Sequence, residues 1–277
     1  MSQTKGWKEW ADHQLGIQNS CERGCSYCFA TYNDMVRYKR ITKPQERLKY
    51  KQRKTIKKPD KKYPGRVAFA NSHDITINNY SECEDYLVRL LKAGNHVLIV
   101  TKPDYVVIRF LISALGKFRE QLEFRITIGT YDNEVLKKFE PNASDFEERI
   151  LCLKMLFMAG FETSVSIEPY LSRDVRGLID RIYHYVTREI WVGIMNHFDQ
   201  IVEYAPVIES LRELYSLETV LTIHSELERY FGHNYFTGKI TIKYKDTFEA
   251  MVNKNNFFER NELIVNSLLV EKNGVGN

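Results

Sequence analysis

From residue 66 onward the chain alternates short runs of β-branched and aromatic residues with longer stretches whose apolar positions recur every three to four residues. The runs Arg66-Val-Ala-Phe-Ala70, His96-Val-Leu-Ile-Val-Thr101, Phe124-Arg-Ile-Thr-Ile128, Phe161 to Ile167 and Glu189-Ile-Trp-Val-Gly-Ile194 predict buried strands. Helices are predicted between them. One covers Cys83 to Ala93 and is closed by Gly94 and Asn95. A second covers Asp104 to Leu115, opened by Pro103 and stopped by Gly116. A third starts at an N-cap on Ser144 or Asp145 and runs to Ala159, where Gly160 ends it; a fourth lies around Val175–Val186. A short strand near Leu15–Gln18 precedes the series and makes Glu189–Ile194 the sixth. Such alternation predicts parallel βα units with right-handed crossovers. Periodicity leaves a barrel and an open doubly wound sheet equally open. Beyond about residue 225 the pattern is less regular, with a strand predicted at Lys239–Tyr244 and a closing helix at Glu259–Leu269.

With 277 residues the chain can bury one large α/β domain or two small ones. It holds no apolar run of about 20 residues, so no membrane span is expected. The Met1-Ser-Gln-Thr-Lys-Gly-Trp-Lys-Glu-Trp10 start lacks the apolar stretch of a secretory signal. Five cysteines, three of them clustered, fit a reducing, cytoplasmic location. The net charge of +4 hides an asymmetry: residues 31–66 carry fourteen lysines and arginines against three acidic residues, a local +11. Tyr32, Tyr38, Tyr50 and Tyr63 are interleaved with those cations. A basic segment studded with aromatics suits a polyanion such as DNA or RNA. The plainer reading is a solvated excursion without specific contacts.

The densest chemical signal is Cys21-Glu-Arg-Gly-Cys25-Ser-Tyr-Cys28. Iron–sulfur clusters are ordinarily gripped by four cysteines. Three thiolates hold only three irons of a [4Fe-4S] cluster and leave one iron open, and an open metal position is where substrates and cofactors bind. A zinc site is the rival; it needs a fourth ligand, which His13 could supply. A disulfide framework needs even pairing and a secretory context, and neither is present. Cys152, inside Ile150-Leu-Cys-Leu-Lys-Met-Leu-Phe-Met158, reads as a small core residue, whereas Cys83 is ambiguous.

The Cys-x3-Cys-x2-Cys spacing, with aromatic Tyr27 before the last cysteine, resembles the signature of the radical S-adenosylmethionine (SAM) superfamily. Further stretches resemble spore photoproduct lyase and lyase-like relatives: Phe139-Glu-Pro141 with Ser144, Phe146, Arg149 and Ala159-Gly160; Val100-Thr-Lys102; and Ile190-Trp-Val-Gly-Ile-Met-Asn196. The resemblance covers about residues 13–200. It implies an α/β fold, a partial (β/α)6 TIM-like barrel of the radical SAM type whose cysteine loop caps the C-terminal mouth. Residues 1–225 would form this core, with a basic insertion at about 31–65. Residues 226–277 would be a small C-terminal extension packing on the barrel.

The implied cofactors are a [4Fe-4S] cluster on Cys21, Cys25 and Cys28, and SAM chelated at the open iron. One electron would then cleave SAM to methionine and a 5′-deoxyadenosyl radical that abstracts hydrogen from carbon. By position, Lys102 and Thr130 are expected to reach SAM. Asn71, Ser72 and His73 fall where the SAM methionine or the substrate is contacted, and Glu168 is expected to contact SAM or brace the mouth. Tyr131 and Tyr170 are candidates for relaying a radical, although such tyrosines also simply pack. The lyase carries a hydrogen-donating cysteine where this chain has Asn71, and the lyase's C-terminal substrate motif is not recognisable; Cys83 is the one candidate replacement. A lyase-like enzyme with a different reaction is therefore expected, acting on a nucleobase or nucleic acid, with a small molecule or peptide as the alternative substrate. A non-enzymatic metal-binding module is the third reading. SAM and an electron donor such as flavodoxin or ferredoxin are the other expected partners.

Overall fold

A computed structural model describes residues 6–49, 51, 53, 56–70, 72–231 and 240–254. Its centre is one sheet of seven strands in the order β1-β2-β3-β4-β5-β6-β7, every neighbouring pair parallel. The strands are β1 (His13–Leu15), β2 (Arg66–Phe69), β3 (His96–Thr101), β4 (Leu122–Thr127), β5 (Glu162–Ile167), β6 (Glu189–Val192) and β7 (Thr241–Tyr244). Spatial order follows chain order, as expected when each crossover turns with the same hand. Among the described residues β1 and β7 do not pair, so the sheet is not closed.

The helices are α1 (Phe29–Tyr32), α2 (Tyr80–Lys92), α3 (Tyr105–Leu115), α4 (Asn133–Phe139), α5 (Phe146–Met158), α6 (Val175–Ile182), α7 (Phe198–Val202) and α8 (Leu217–Phe231). Local signals set several ends. Asp145 accepts the Glu148 N–H at 2.8 Å to cap α5, and Gly160 stops that helix at φ +77°. Asp132 caps α4 through the Glu134 and Val135 N–H groups. Ser144, the other candidate cap, instead donates to the Pro103 carbonyl at 2.6 Å. Leu87, Leu90, Val107, Leu111, Leu153, Leu156, Leu178 and Ile182 bury the helices' apolar faces in one core with Phe124, Ile126, Val165 and Ile190 of the sheet.

The opposite face of the sheet is charged. Arg66 on β2 pairs with Glu123 on β4, and Arg125 on β4 reaches Glu189 on β6 at 3.3 Å, each pair skipping a strand. Arg125 lies over Trp10 and Trp191 at 5.0 and 5.6 Å. A 3-10 turn at Gly6–Glu9 precedes β1, yet Glu9 pairs at 3.0 Å with the buried Lys245 just past β7, and Trp10 meets Trp191 of β6 edge-on at 6.1 Å. Groups at the two ends of the strand order can touch only if the sheet curls, which makes this an incomplete barrel lined with paired charges.

The six expected strands are all present, and a seventh joins them: the strand read into the C-terminal extension pairs with β6 as the edge of the same sheet. α8 runs across residue 225, and the helix predicted at 259–269 lies outside the described residues. Among the described residues no helix is long and apolar enough to cross a membrane.

Candidate active site

The cysteine loop leaves the C-terminal end of β1 and lies across the ends of β2, β3 and β4. Its anchor is Arg23, between the first two cysteines and only 5 % exposed. The guanidinium donates to Asp74 Oδ2 past β2 (2.7 Å), to Asp104 Oδ1 (2.9 Å) and the Lys102 carbonyl (2.7 Å) past β3, and to the Asn142 carbonyl (3.2 Å) past α4. Asp74 in turn accepts from the Thr101 hydroxyl, the Ile75 N–H at 2.9 Å and the Lys102 N–H at 3.2 Å. Asp104, expected to sit inside α3, is its N-cap residue, and its carboxylate serves Arg23 rather than the helix. Gly24 turns the loop at φ +64°, where a Cβ would sit 3.3 Å from both Asn142 and Leu48.

A second buried chain stands behind Cys25 and Cys28. Tyr27 donates its hydroxyl to Glu140, and Arg149 binds the other oxygen of that carboxylate. Arg149, fully buried, also donates to the Ser144 carbonyl at 2.9 and 2.7 Å and to the Thr127 carbonyl at 3.1 Å. Burial alone would raise the Glu140 carboxyl, but Arg149 and Lys102 hold it below its ordinary range. The Lys102 ammonium lies 5.4 Å from the Tyr27 ring; against the cost of burial, the field of Cys25 and Glu140 keeps it cationic.

The basic segment is built into the site rather than solvated throughout. Its backbone runs beside the loop: Cys21 N–H donates to the Arg47 carbonyl (2.8 Å), Asn19 to Lys51 (2.9 Å) and Arg53 to Ile17 (2.9 Å). Buried Arg47 pairs with Asp34 and donates from Nη2 to the Ser72 carbonyl at 2.6 Å. Arg53 Nη2 donates to the Ser72 hydroxyl at 2.6 Å. Beyond these contacts Arg37, Lys39, Arg40, Lys43, Lys49, Lys51, Lys57, Lys58, Lys61 and Lys62 are exposed, and Arg37 and Arg40 flank the exposed Tyr38 ring at 5.4 and 4.3 Å.

The three cysteines share one electrostatic neighbourhood. Burial, Asp74 and Cys28 push the Cys21 thiol up to about 11, and burial pushes Cys25 up further, with Glu140, Cys21 and Cys28 adding to it. Cys28 is different: burial works against ionisation, but Arg47 and hydrogen bonds from Thr31 and the Ala30 backbone win and lower it. Two buried donors here have no hydrogen-bond partner, Arg47 Nε and the Tyr204 hydroxyl. One thiol favoured as thiolate, with spare buried donors in its neighbourhood, fits a cluster whose thiolates and sulfides accept hydrogen bonds. The zinc alternative fits less well. His13 sits at the opposite end of β1, against Tyr63 at 5.2 Å, and among the described residues no three His, Cys, Asp or Glu side chains could share one metal ion.

The other sequence candidates divide. Lys102 and Ser72 lie beside the loop, whereas Asn71 lies outside the described residues. His73 is fully engaged: Nε2 accepts the Ile17 N–H at 3.2 Å and Nδ1 faces the Asp74 carbonyl at 3.0 Å, so the ring pins β1 to β2. Burial lowers it to about 4. Thr130 is buried, pairing with Ser172 at 3.1 Å and accepting the Asp132 N–H. Glu168 stands at the end of β5, accepting from Asn196 at 3.2 Å, with Lys245 at 3.9 Å; burial raises its carboxyl to about 7. Cys83 is buried on α2 against Asn79, Tyr170 is buried with its hydroxyl on the Leu214 carbonyl, and Tyr131 donates to Asp174 at 2.5 Å under Arg181. The structure does not bring these last three to the cysteine loop. Arg23, Glu140, Arg47 and Tyr204 are the residues that sequence reasoning did not single out for the site.

No family model and no curated protein matches this sequence. Solved structures do. SuiB of Streptococcus suis bound to its precursor peptide SuiA superposes with a TM-score of 0.57 at 13 % identity over 87 % of this chain, and SuiB bound to S-adenosylmethionine with 0.57 at 12 % over 84 %. The fold is that of the radical SAM proteins. A spore photoproduct lyase variant with bound AdoMet and dinucleoside spore photoproduct gives a TM-score of 0.54 at 14 % identity, covering 85 % of this chain and 77 % of the lyase. The chain spans about half the length of SuiB, 51 % and 50 % in the two complexes. Within the radical SAM fold, a cysteine loop over the C-terminal strand ends lies where parallel-barrel enzymes keep their chemistry.

Proposed function

We propose that this chain is a radical SAM enzyme that modifies a nucleic acid or one of its bases. The observation that carries the enzyme reading is the Arg23 clasp, which fixes Cys21, Cys25 and Cys28 over the strand ends with charged Lys102 beside them. Those cysteines would hold a [4Fe-4S] cluster, and with SAM it would supply a 5′-deoxyadenosyl radical for hydrogen abstraction. The chain's own part is placement and exclusion. Lys102 offers a cation to an anionic group of the bound cofactor, and Tyr27, Glu140 and Arg149 keep the wall behind the cysteines rigid and dry. The edge of the loop toward solvent belongs to the basic segment.

The exposed cations and Tyr38 between two arginines support a nucleic-acid substrate, since backbone charge plus aromatic stacking holds single strands. The lyase neighbour holds a dinucleoside, whereas SuiB holds a peptide. A flavodoxin or ferredoxin would deliver the electron. The test is anaerobic cluster reconstitution, then incubation with SAM and dithionite, with 5′-deoxyadenosine read by mass spectrometry beside a Cys25→Ala control. Nucleoside formed only by the wild type, and stimulated by DNA or RNA, is the expected result. Stimulation by peptides alone would overturn the substrate, and a zinc-loaded protein that does not bind SAM would overturn the enzyme.

A further inference from the structure

Arg47 and Tyr204 come from opposite directions in the chain, one from the basic segment after α1 and the other from the turn after α7. Both arrive at the same place. The Arg47 carbonyl takes the Cys21 N–H, and its guanidinium enters the turn that follows Cys28, with Nη1 on the Ala30 carbonyl at 3.4 Å. Its two terminal nitrogens are used, on Asp34 and Ala30 and on Ser72, which fixes the plane of the group and leaves Nε–H buried with nothing to bind. On the other side, His197 opens α7 at φ +59° and stacks on Tyr32 of α1 at 4.1 Å. Tyr32 N–H in turn binds the Cys28 carbonyl at 3.0 Å. This stack draws α7 against the cysteine turn and leaves the Tyr204 hydroxyl buried without a partner.

A donor buried unpaired loses its hydration with nothing in return, so two at one site ask for an acceptor. The turn around Cys28 supplies it: the Arg47 guanidinium reaches the Ala30 carbonyl two residues on, and Tyr32, on whose ring α7 is stacked through His197, is bonded to the Cys28 carbonyl. We propose that Arg47 Nε–H and Tyr204 O–H donate hydrogen bonds to the Cys28 edge of the iron–sulfur cluster and set its reduction potential. The inference rests on the cluster assignment made above. Reduction adds one electron, and hence one negative charge, to the cluster; donors aimed at its sulfur stabilise that added charge and make reduction easier.

The experiment is an anaerobic redox titration of the reconstituted protein followed by electron paramagnetic resonance, for wild type, Tyr204→Phe and Arg47→Lys. Tyr204→Phe deletes only the hydroxyl, and Arg47→Lys keeps the positive charge but loses Nε. Each variant is expected to carry a full cluster with a more negative midpoint, up to about tenfold in the reduction equilibrium, ~59 mV for one electron. Full clusters with wild-type midpoints in both would overturn the proposal while leaving the cluster reading intact. A wild type that takes up no iron–sulfur cluster would overturn both together. If Arg47→Lys fails to assemble a cluster, Tyr204→Phe alone decides, by the same criterion.

Discussion

Arg23 Nε stands 2.7 Å from Asp74 Oδ2, and both side chains are buried, so the cysteine loop is tied to the end of β2 by an ion pair that water does not reach. Fifty-one residues separate the partners in sequence, and the bond exists only when β1 and β2 are paired. The geometry of the cysteines is thereby made conditional on the fold of the barrel.

Removing that arginine should therefore disable the loop before it disables the sheet. Arg23→Met leaves Asp74 buried and without its cation, a change that costs roughly 3–5 kcal/mol in comparable buried pairs. Iron bound per chain after reconstitution should fall, and urea denaturation should show the destabilisation. Asp104→Asn, which removes a half-buried partner, should lose less of both.

The Glu140–Arg149 pair makes a companion case without a cysteine in it. Glu140→Gln should destabilise by about 3–5 kcal/mol because Arg149 stays buried and charged without that carboxylate, whereas Tyr27→Phe should lose about 1 kcal/mol. Replacing both charges, as Glu140→Leu with Arg149→Met, should recover part of the loss in a double-mutant cycle.

His73 and Glu168 pull the pH dependence of stability in opposite directions. His73 titrates near 4 when folded against 6.5 ordinarily, so between those values the unfolded chain binds the extra proton and stability rises with pH. Glu168 titrates near 7 when folded against 4.5 ordinarily, so the folded chain holds the extra proton and stability falls with rising pH across that span. From 4.5 to 6.5 the two slopes oppose, each up to about 1.4 kcal/mol per pH unit. Urea denaturation across this window should show His73→Gln losing stability as pH rises and Glu168→Gln gaining it.

Charge on the outer side of the basic segment should matter for binding and little for folding. Changing exposed Lys49, Lys51, Lys57 and Lys58 to Gln should shift stability by no more than about 0.5 kcal/mol. Anisotropy titrations with labelled single-stranded DNA or RNA over a range of KCl should show weaker binding and a shallower salt slope, by about 0.7 for each phosphate no longer neutralised. An unchanged affinity and slope would count against a nucleic-acid partner at this segment.

Much of this architecture is legible in the sequence because its signals are local. Asp145 and Gly160 mark both ends of α5 within one turn of the helix, and β3 declares itself by the unbroken apolar run Val97-Leu-Ile-Val100. The cysteine spacing is equally local. What stays hidden depends on distance: nothing in Glu-Arg-Gly announces that Arg23 will find Asp74, Asp104 and Asn142 at separations of 51, 81 and 119 residues. Glu140 lies inside a motif that is easy to notice, yet its partner Arg149 is visible only once α5 is packed. The basic segment looks like a solvated run because Arg47 is written in the same letters as its exposed neighbours. Tyr131 and Tyr170 follow strand ends, where one residue more or less turns a side chain toward the mouth or away from it.

The seam between β1 and β7 is fastened by Glu9 on Lys245 and Trp10 on Trp191, with no strand ladder across it among the described residues. A closed barrel must be threaded from its ends, like a needle. A curled sheet with a side-chain clasp can instead be parted along its length, and among the described residues no strand-to-strand hydrogen bond across the seam breaks when it is. A way in along the flank is open to such a sheet and closed to a barrel.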